Sequence, residues 1–133
     1  MASEKICYGD NIVVEGHRLA LSLAVRAGDT VYMYAEASRD TTTLKPADPC
    51  GLKVQTTHRL ELIKMALDMA GATLEEVVKL NVILKNREDL DGYNDTIRKY
   101  FPEKPPARIT TLGDYLLEGA LIEIDATAYS PRD

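Results

Sequence analysis

Residues 54–84 read VQTTHRLELIKMALDMAGATLEEVVKLNVIL, and the change of period inside them decides the fold. From Val54 to Ala70 the spacing is helical: Leu60, Ile63, Leu67 and Ala70 form one stripe, while Glu61, Lys64 and Asp68 lie opposite. Gly71 stands where a helix closes on a left-handed residue. Thr73, with Glu76 three residues on, reads as a capping box for a short turn. Val77 to Leu84 is then rich in branched apolar residues, the signature of a buried strand. A helix leading directly into a buried strand predicts helices laid against a sheet.

Working outward, Leu19 to Arg26 is strand-like, Ala27-Gly28-Asp29 makes a turn, and Thr30 to Ala37 is a second strand, giving a hairpin. Strict alternation puts Tyr32, Tyr34 and Glu36 on one face and Val31, Met33 and Ala35 on the other. Arg39 to Gly51, with three Thr, two Pro and a Gly, reads as a loop long enough to suggest function. On the other side, Glu88 to Phe101 is a second helix with Leu90, Tyr93, Ile97 and Tyr100 as its buried stripe. Pro102 ends it, and Pro105-Pro106 keep the chain extended. Arg108 to Leu112 reads as a short strand, Glu118-Gly119 as a turn and Ala120 to Tyr129 as a last strand. The order β-β-α-β-α-β-β predicts an α+β sandwich, two helices packed on one face of a mixed sheet, as a single domain over residues 1–133.

The chain has 133 residues, a net charge of −5 and 45% apolar residues, an ordinary globular composition. A chain of this length buries roughly two-thirds of its unfolded surface but has little depth for a closed cavity. A small-molecule site would therefore draw on a second subunit. The acidic balance, without a basic run, argues against nucleic acid or anionic membrane as partners. Apolar runs such as Leu19 to Val25 fall short of the ~20 residues of a membrane span. The start Met1-Ala2-Ser3-Glu4-Lys5 has no basic region leading into an apolar core, so a cytoplasmic protein is expected.

Candidate chemistry lies toward the end of the chain. Arg108 follows the stiff segment Pro105-Pro106-Ala107, and an arginine on a fixed backbone suits bidentate capture of a carboxylate. Glu123 and Asp125 project from one face of the last strand, with Ile122, Ile124 and Ala126 in the core; Glu123 could polarise a water near such a ligand. A surface salt bridge between Arg108 and a carboxylate is the alternative. His58 and Glu61 lie one helical turn apart, but no third metal ligand converges on them. His17 has no partner that sequence can name. Cys7 and Cys50 form no paired motif and read as free thiols. No metal is expected.

Pro106-Ala107-Arg108, followed by Ile122-Glu123-Ile124, resembles the closing signature of the Rid (YjgF-type) reactive-intermediate deaminase family. The resemblance extends over some three-quarters of the chain. It takes in AVRAGDTVYM in the hairpin, the stretch QTTHRLELIKMALDMAGATLEEVVKLNVILKN, and LDGYNDTIRKYFPEKPPAR. It implies a chorismate-mutase-like fold and a homotrimer with a ligand pocket at each subunit interface. It also implies cofactor-free hydrolysis of enamines and imines to a carbonyl compound and ammonia. In that scheme Arg108 grips the substrate carboxylate, Glu123 orients water, and Asn94, Thr110 and Leu21 line the substrate.

The chain also departs from the family pattern. Tyr34 stands where a small serine is usual and Glu36 where a neutral amide is, Leu21 takes the place of a tyrosine, and Ile109 that of a small residue. These changes alter pocket volume and charge and suggest a larger amino-acid-derived or ring-cleavage imine. Tyr34 and Glu36 then read either as an added acid–base pair or as packing and a solvated carboxylate. A ligand-binding member without turnover is the rival to the enzyme.

Overall fold

The computed structural model describes residues 4–34, 36–37, 51–114 and 119–132. Along the chain these form β1 (Lys5–Tyr8), β2 (Val13–Val14), β3 (His17–Arg18), β4 (Ala24–Ala27), β5 (Thr30–Met33) and β6 (Glu36–Ala37). Then come α1 (Leu52–Met69), β7 (Val77–Leu84), α2 (Leu90–Tyr100), β8 (Ala107–Leu112) and β9 (Ile122–Tyr129), with 3-10 turns at Leu74–Glu76 and Arg87–Asp89. One sheet runs β1-β4-β5-β9-β7-β8, with β6 also paired to β9; β2 and β3 form a separate small hairpin.

β5 and β7 both run antiparallel to β9, so they are parallel to each other and α1 is the crossover between them. α2 makes the second crossover, from β7 to β8, the parallel pair. Both helices press on one face of the sheet. Leu60, Ile63 and Leu67 of α1 and Tyr93 of α2, each at most 1% exposed, meet Val31, Leu80, Ile122 and Ile124. Each such aliphatic side chain contributes about 1.5–3 kcal/mol on burial. The other face carries no layer among the described residues: Tyr32, Asn81 and Ile109 are exposed there, and Glu123 and Asp125 half-buried.

The predicted α+β order is present, with β1 and the β2–β3 hairpin in addition. The strand predicted over Leu19–Arg26 is shorter, because the chain before Ala24 follows local bonds: the Leu19 amide donates to the Ile12 carbonyl (2.8 Å) and that of Leu21 to the Leu19 carbonyl (2.9 Å). Leu90 leaves its predicted stripe and is 42% exposed, since it opens α2 directly after a 3-10 turn. The predicted loop Arg39–Gly51 lies outside the described residues up to Gly51.

α1 ends as the sequence predicts. Gly71 takes φ 76°, its amide donates to the Asp68 carbonyl (3.1 Å) and that of Ala72 to the Leu67 carbonyl (2.9 Å), the six-to-one and five-to-two closure of a Schellman end. The remaining Ala70 carbonyl accepts from Arg26 Nη2 (2.9 Å) and Arg132 Nη2 (3.3 Å). The Thr73–Glu76 capping box is formed.

The predicted alternation along β5 breaks at Tyr34. Between the pairs Tyr32–Thr127 and Glu36–Ile124 lie residues 33–35 on one side but only 125 and 126 on the other. That extra residue is a β-bulge, and it shifts the facing of the residues after it. Met33 is buried, and Tyr34 packs beside it on the helix side with Leu23, Leu62 and Ala66, away from the face of Tyr32.

Candidate functional site

β8 is an edge strand, delivered by the rigid Pro105-Pro106 segment and held on its inner side by β7. Arg108 pairs in register with buried Leu80 and Thr110 with buried Val82, so both side chains share the helix-covered face. Their support there is Tyr93 of α2, fully buried. The Arg108 guanidinium lies 5.1 Å from the centre of the Tyr93 ring, and the Tyr93 hydroxyl is 3.2 Å from Thr110 Oγ1. A guanidinium over an aromatic face is attracted by the ring's negative π-cloud, which fixes its position without neutralising it. Among the described residues no carboxylate pairs with Arg108. The salt bridge considered as an alternative is not formed there.

Arg108 opens onto a cleft of about 320 Å³ between α2 and the start of β8, lined also by Leu80, Asn94, Arg98, Phe101 and Pro106. Asn94 Oδ1 is buried in this region without a hydrogen-bond partner among the described residues. A buried acceptor left unmatched costs about 1–3 kcal/mol, and a donor on a ligand would recover it. The arrangement offers a cation for a carboxylate and an acceptor for an N–H group. A neighbouring groove of about 550 Å³, between Leu84, Arg87, Leu90 and Leu112, shares Thr110.

Glu123 lies elsewhere. It pairs in register with Ile83 of β7, in the set that alternates with buried Ile122 and Ile124, and so stands on the helix-free face. In the next row on that face Asn81 Nδ2 donates to Asp125 Oδ2 at 3.3 Å. Within one chain, then, Arg108, Asn94 and Thr110 come together and Glu123 does not join them. Tyr34 stacks on the guanidinium of Arg59, 5.4 Å from the ring centre, and Leu21 is half-buried against the core. The Glu36 side chain lies outside the described part of the structure. His17, His58 and Cys7 are exposed, Cys50 lies outside the described residues, and among those described no three His, Cys, Asp or Glu side chains converge.

Three residues of this architecture were not singled out by sequence. Tyr93 was legible only as part of the α2 stripe. Gln55 and Arg59, each 1% exposed, sit between α1 and the sheet. Their signal is that they share a helical stripe with Leu62 and Ala66, polar residues where apolar ones are expected.

The family described as Endoribonuclease L-PSP matches residues 16–130. A RutC family protein of Pyrococcus horikoshii is 36% identical over 110 residues, 81% of this chain and 85% of that one. The chain belongs to the Rid (YjgF-type) family. Among the solved Rid structures, RidA from an Antarctic Psychrobacter is similar at a TM-score of 0.78 and 28% identity, covering 97% of this chain and 98% of that one. The sheet with two crossover helices is thus the chorismate-mutase-like Rid fold. A Rid relative named 2-iminobutanoate/2-iminopropanoate deaminase, from Dermatophagoides farinae, is 27% identical over 105 residues, 79% of this chain and 81% of that one. Imine deamination is therefore an activity found within the Rid family.

Proposed function

We propose that this protein hydrolyses the imine or enamine of a small amino-acid-derived carboxylate to the carbonyl compound and ammonia. The observation that carries this reading is the Arg108 guanidinium, held over Tyr93 without a carboxylate partner among the described residues, at a cleft where Asn94 Oδ1 is an unmatched acceptor. Arg108 takes the substrate carboxylate and Asn94 the imine N–H. An enamine is first protonated at carbon; water then adds to the imine carbon, and the carbinolamine expels ammonia as the C–N bond breaks. The imine is already an activated electrophile, so orientation of substrate and water supplies most of the acceleration.

Glu123 aims the water. Because it faces away from Arg108 in one chain, the complete site lies between chains, with Glu123 of one copy meeting Arg108 of the next. A homotrimer with three such clefts is the assembly this reading requires, and the uncovered sheet face bearing Tyr32 and Ile109 is the surface available for it.

The test is ammonia release and loss of imine absorbance over a panel of amino-acid-derived imines, with Arg108→Ala beside the wild type. Turnover by the wild type that falls at least a hundredfold in the variant supports the reading. Equal rates sink it. Calorimetric binding of small carboxylates that depends on Arg108, without turnover, favours a ligand-binding member instead.

A further inference from the structure

α1 carries two polar side chains into the core, Gln55 and Arg59, four residues apart and each 1% exposed. Burying such groups is costly unless their hydrogen bonds are recovered, so an apolar pair would serve packing better. Both reach the backbone around Glu123. Gln55 Nε2 donates to the Gly119 carbonyl (2.9 Å), and Gln55 Oε1 accepts from the Leu121 amide (2.8 Å). Arg59 Nε donates to the Ile124 carbonyl at 2.9 Å, and its Nη2 donates to the Tyr34 carbonyl. These bonds bracket the segment 119–124 from its turn to its first buried residues.

The bulge explains why such support is needed there. Beyond Thr127 the pairing of β9 with β5 slips by one residue, and among the described residues it resumes at Glu36 and Ala37. Ile124 and Tyr34 each turn a carbonyl toward α1 at this slip, and the Arg59 fork joins the two edges of the gap. On the opposite side, β7 holds β9 continuously through Ile83–Glu123.

We propose that Arg59, assisted by Gln55, is a positioning residue for Glu123: by spanning the bulge it fixes the backbone from which the water-aiming carboxylate projects. The proposal rests on the water-aiming role given to Glu123. Displacing a catalytic group by about 1 Å costs on the order of a hundredfold in rate with little change in binding.

The experiment compares Arg59→Lys with Arg26→Lys and Glu123→Gln. Arg26 is an equally buried arginine bonded to the Ala70 and Ser130 carbonyls, well away from Glu123 in the fold, and serves as the stability control. Turnover and melting temperature are measured for all, with amide hydrogen exchange at residues 121–124. Support is a tenfold to hundredfold loss of kcat in Arg59→Lys, with KM within threefold and faster exchange at 121–124. Arg26→Lys, though destabilised, must then keep kcat within threefold and leave that exchange unchanged. If both lysine variants lose kcat in step with melting temperature, or Arg59→Lys keeps wild-type kcat, the proposal is overturned. Wild-type turnover in Glu123→Gln overturns the role of Glu123, and with it the catalytic part of this proposal. That outcome is separate because it is read without any change at Arg59. Should Arg59→Lys fail to fold, Gln55→Met carries the same comparison without disturbing a buried charge.

Discussion

A guanidinium fixed over an aromatic ring keeps its charge and its fork of donors, and this is what distinguishes Arg108 from an arginine in a surface ion pair. Arg108→Lys retains the charge but loses the planar fork and the stacking on Tyr93, so kcat/KM for a carboxylate-bearing imine should fall at least tenfold. Steady-state kinetics on the best imine of the panel check this. Thr110→Val removes the partner of the buried Tyr93 hydroxyl and should cost about 1–3 kcal/mol in urea unfolding. Arg108 was legible in sequence because prolines announce a rigid approach. Tyr34 was not, since a period of two carries side chains correctly only until a bulge intervenes. No local residue type between Val31 and Ala37 marks the extra residue, which is defined by pairing with β9 at the far end of the chain.

Among the elements, α1 depends on its ends and on its tie to α2. Gly71→Ala forces a Cβ into left-handed backbone at φ 76°, while the new atom would meet Arg132 Nη2 at an ordinary 3.7 Å, so the penalty is conformational, about 1–2 kcal/mol. Chemical denaturation at neutral pH reads it directly. One tie to α2, besides the exposed Lys53–Asp95 ion pair at 3.7 Å, is the Tyr100 hydroxyl, which donates to Glu61 Oε2 at 2.7 Å. Burial, then the bond to Glu61 and its negative charge, push the Tyr100 phenol up from 10.0 to about 12. A raised phenol pKa favours the protonated folded state, so this contribution is whole below pH 10 and is lost as pH rises through about 12. Tyr100→Phe should cost about 1 kcal/mol or less near neutrality and lack that fall between pH 10 and 12, as pH-dependent unfolding would record. The helix, its glycine end, the capping box and β7 were all legible because each is written in neighbouring residues. The early strands β1, β2 and β3 were not, being two to four residues long with too little alternation to register.

On the scale of the whole molecule, the described helices lie on one side of the sheet, and the other side presents Tyr32, Ile109 and Tyr129, each more than half exposed. A second copy covering that face would bury this apolar surface, and the proposed assembly takes Glu123, which projects from it, into the interface. Light scattering behind size exclusion should give three times the 14.7 kDa of one chain, and Ile109→Asp should shift it toward one chain and abolish turnover together. Dissociation with turnover intact would break the link between assembly and site.

The place of β9 at the middle of the sheet has a further consequence, for how the chain folds. The strand β9 separates β5 from β7, so until it arrives the β1-β4-β5 and β7-β8 halves share no ladder among the described residues. Thr30 has to wait for Tyr129 and Glu36 for Ile124. A chain emerging from a ribosome would therefore carry two unfinished sheet fragments with open edges, and folding would complete only after synthesis of the final strand. Pairings so distant in sequence make for slow closure, and the period before it is when the chain is most open to misassociation.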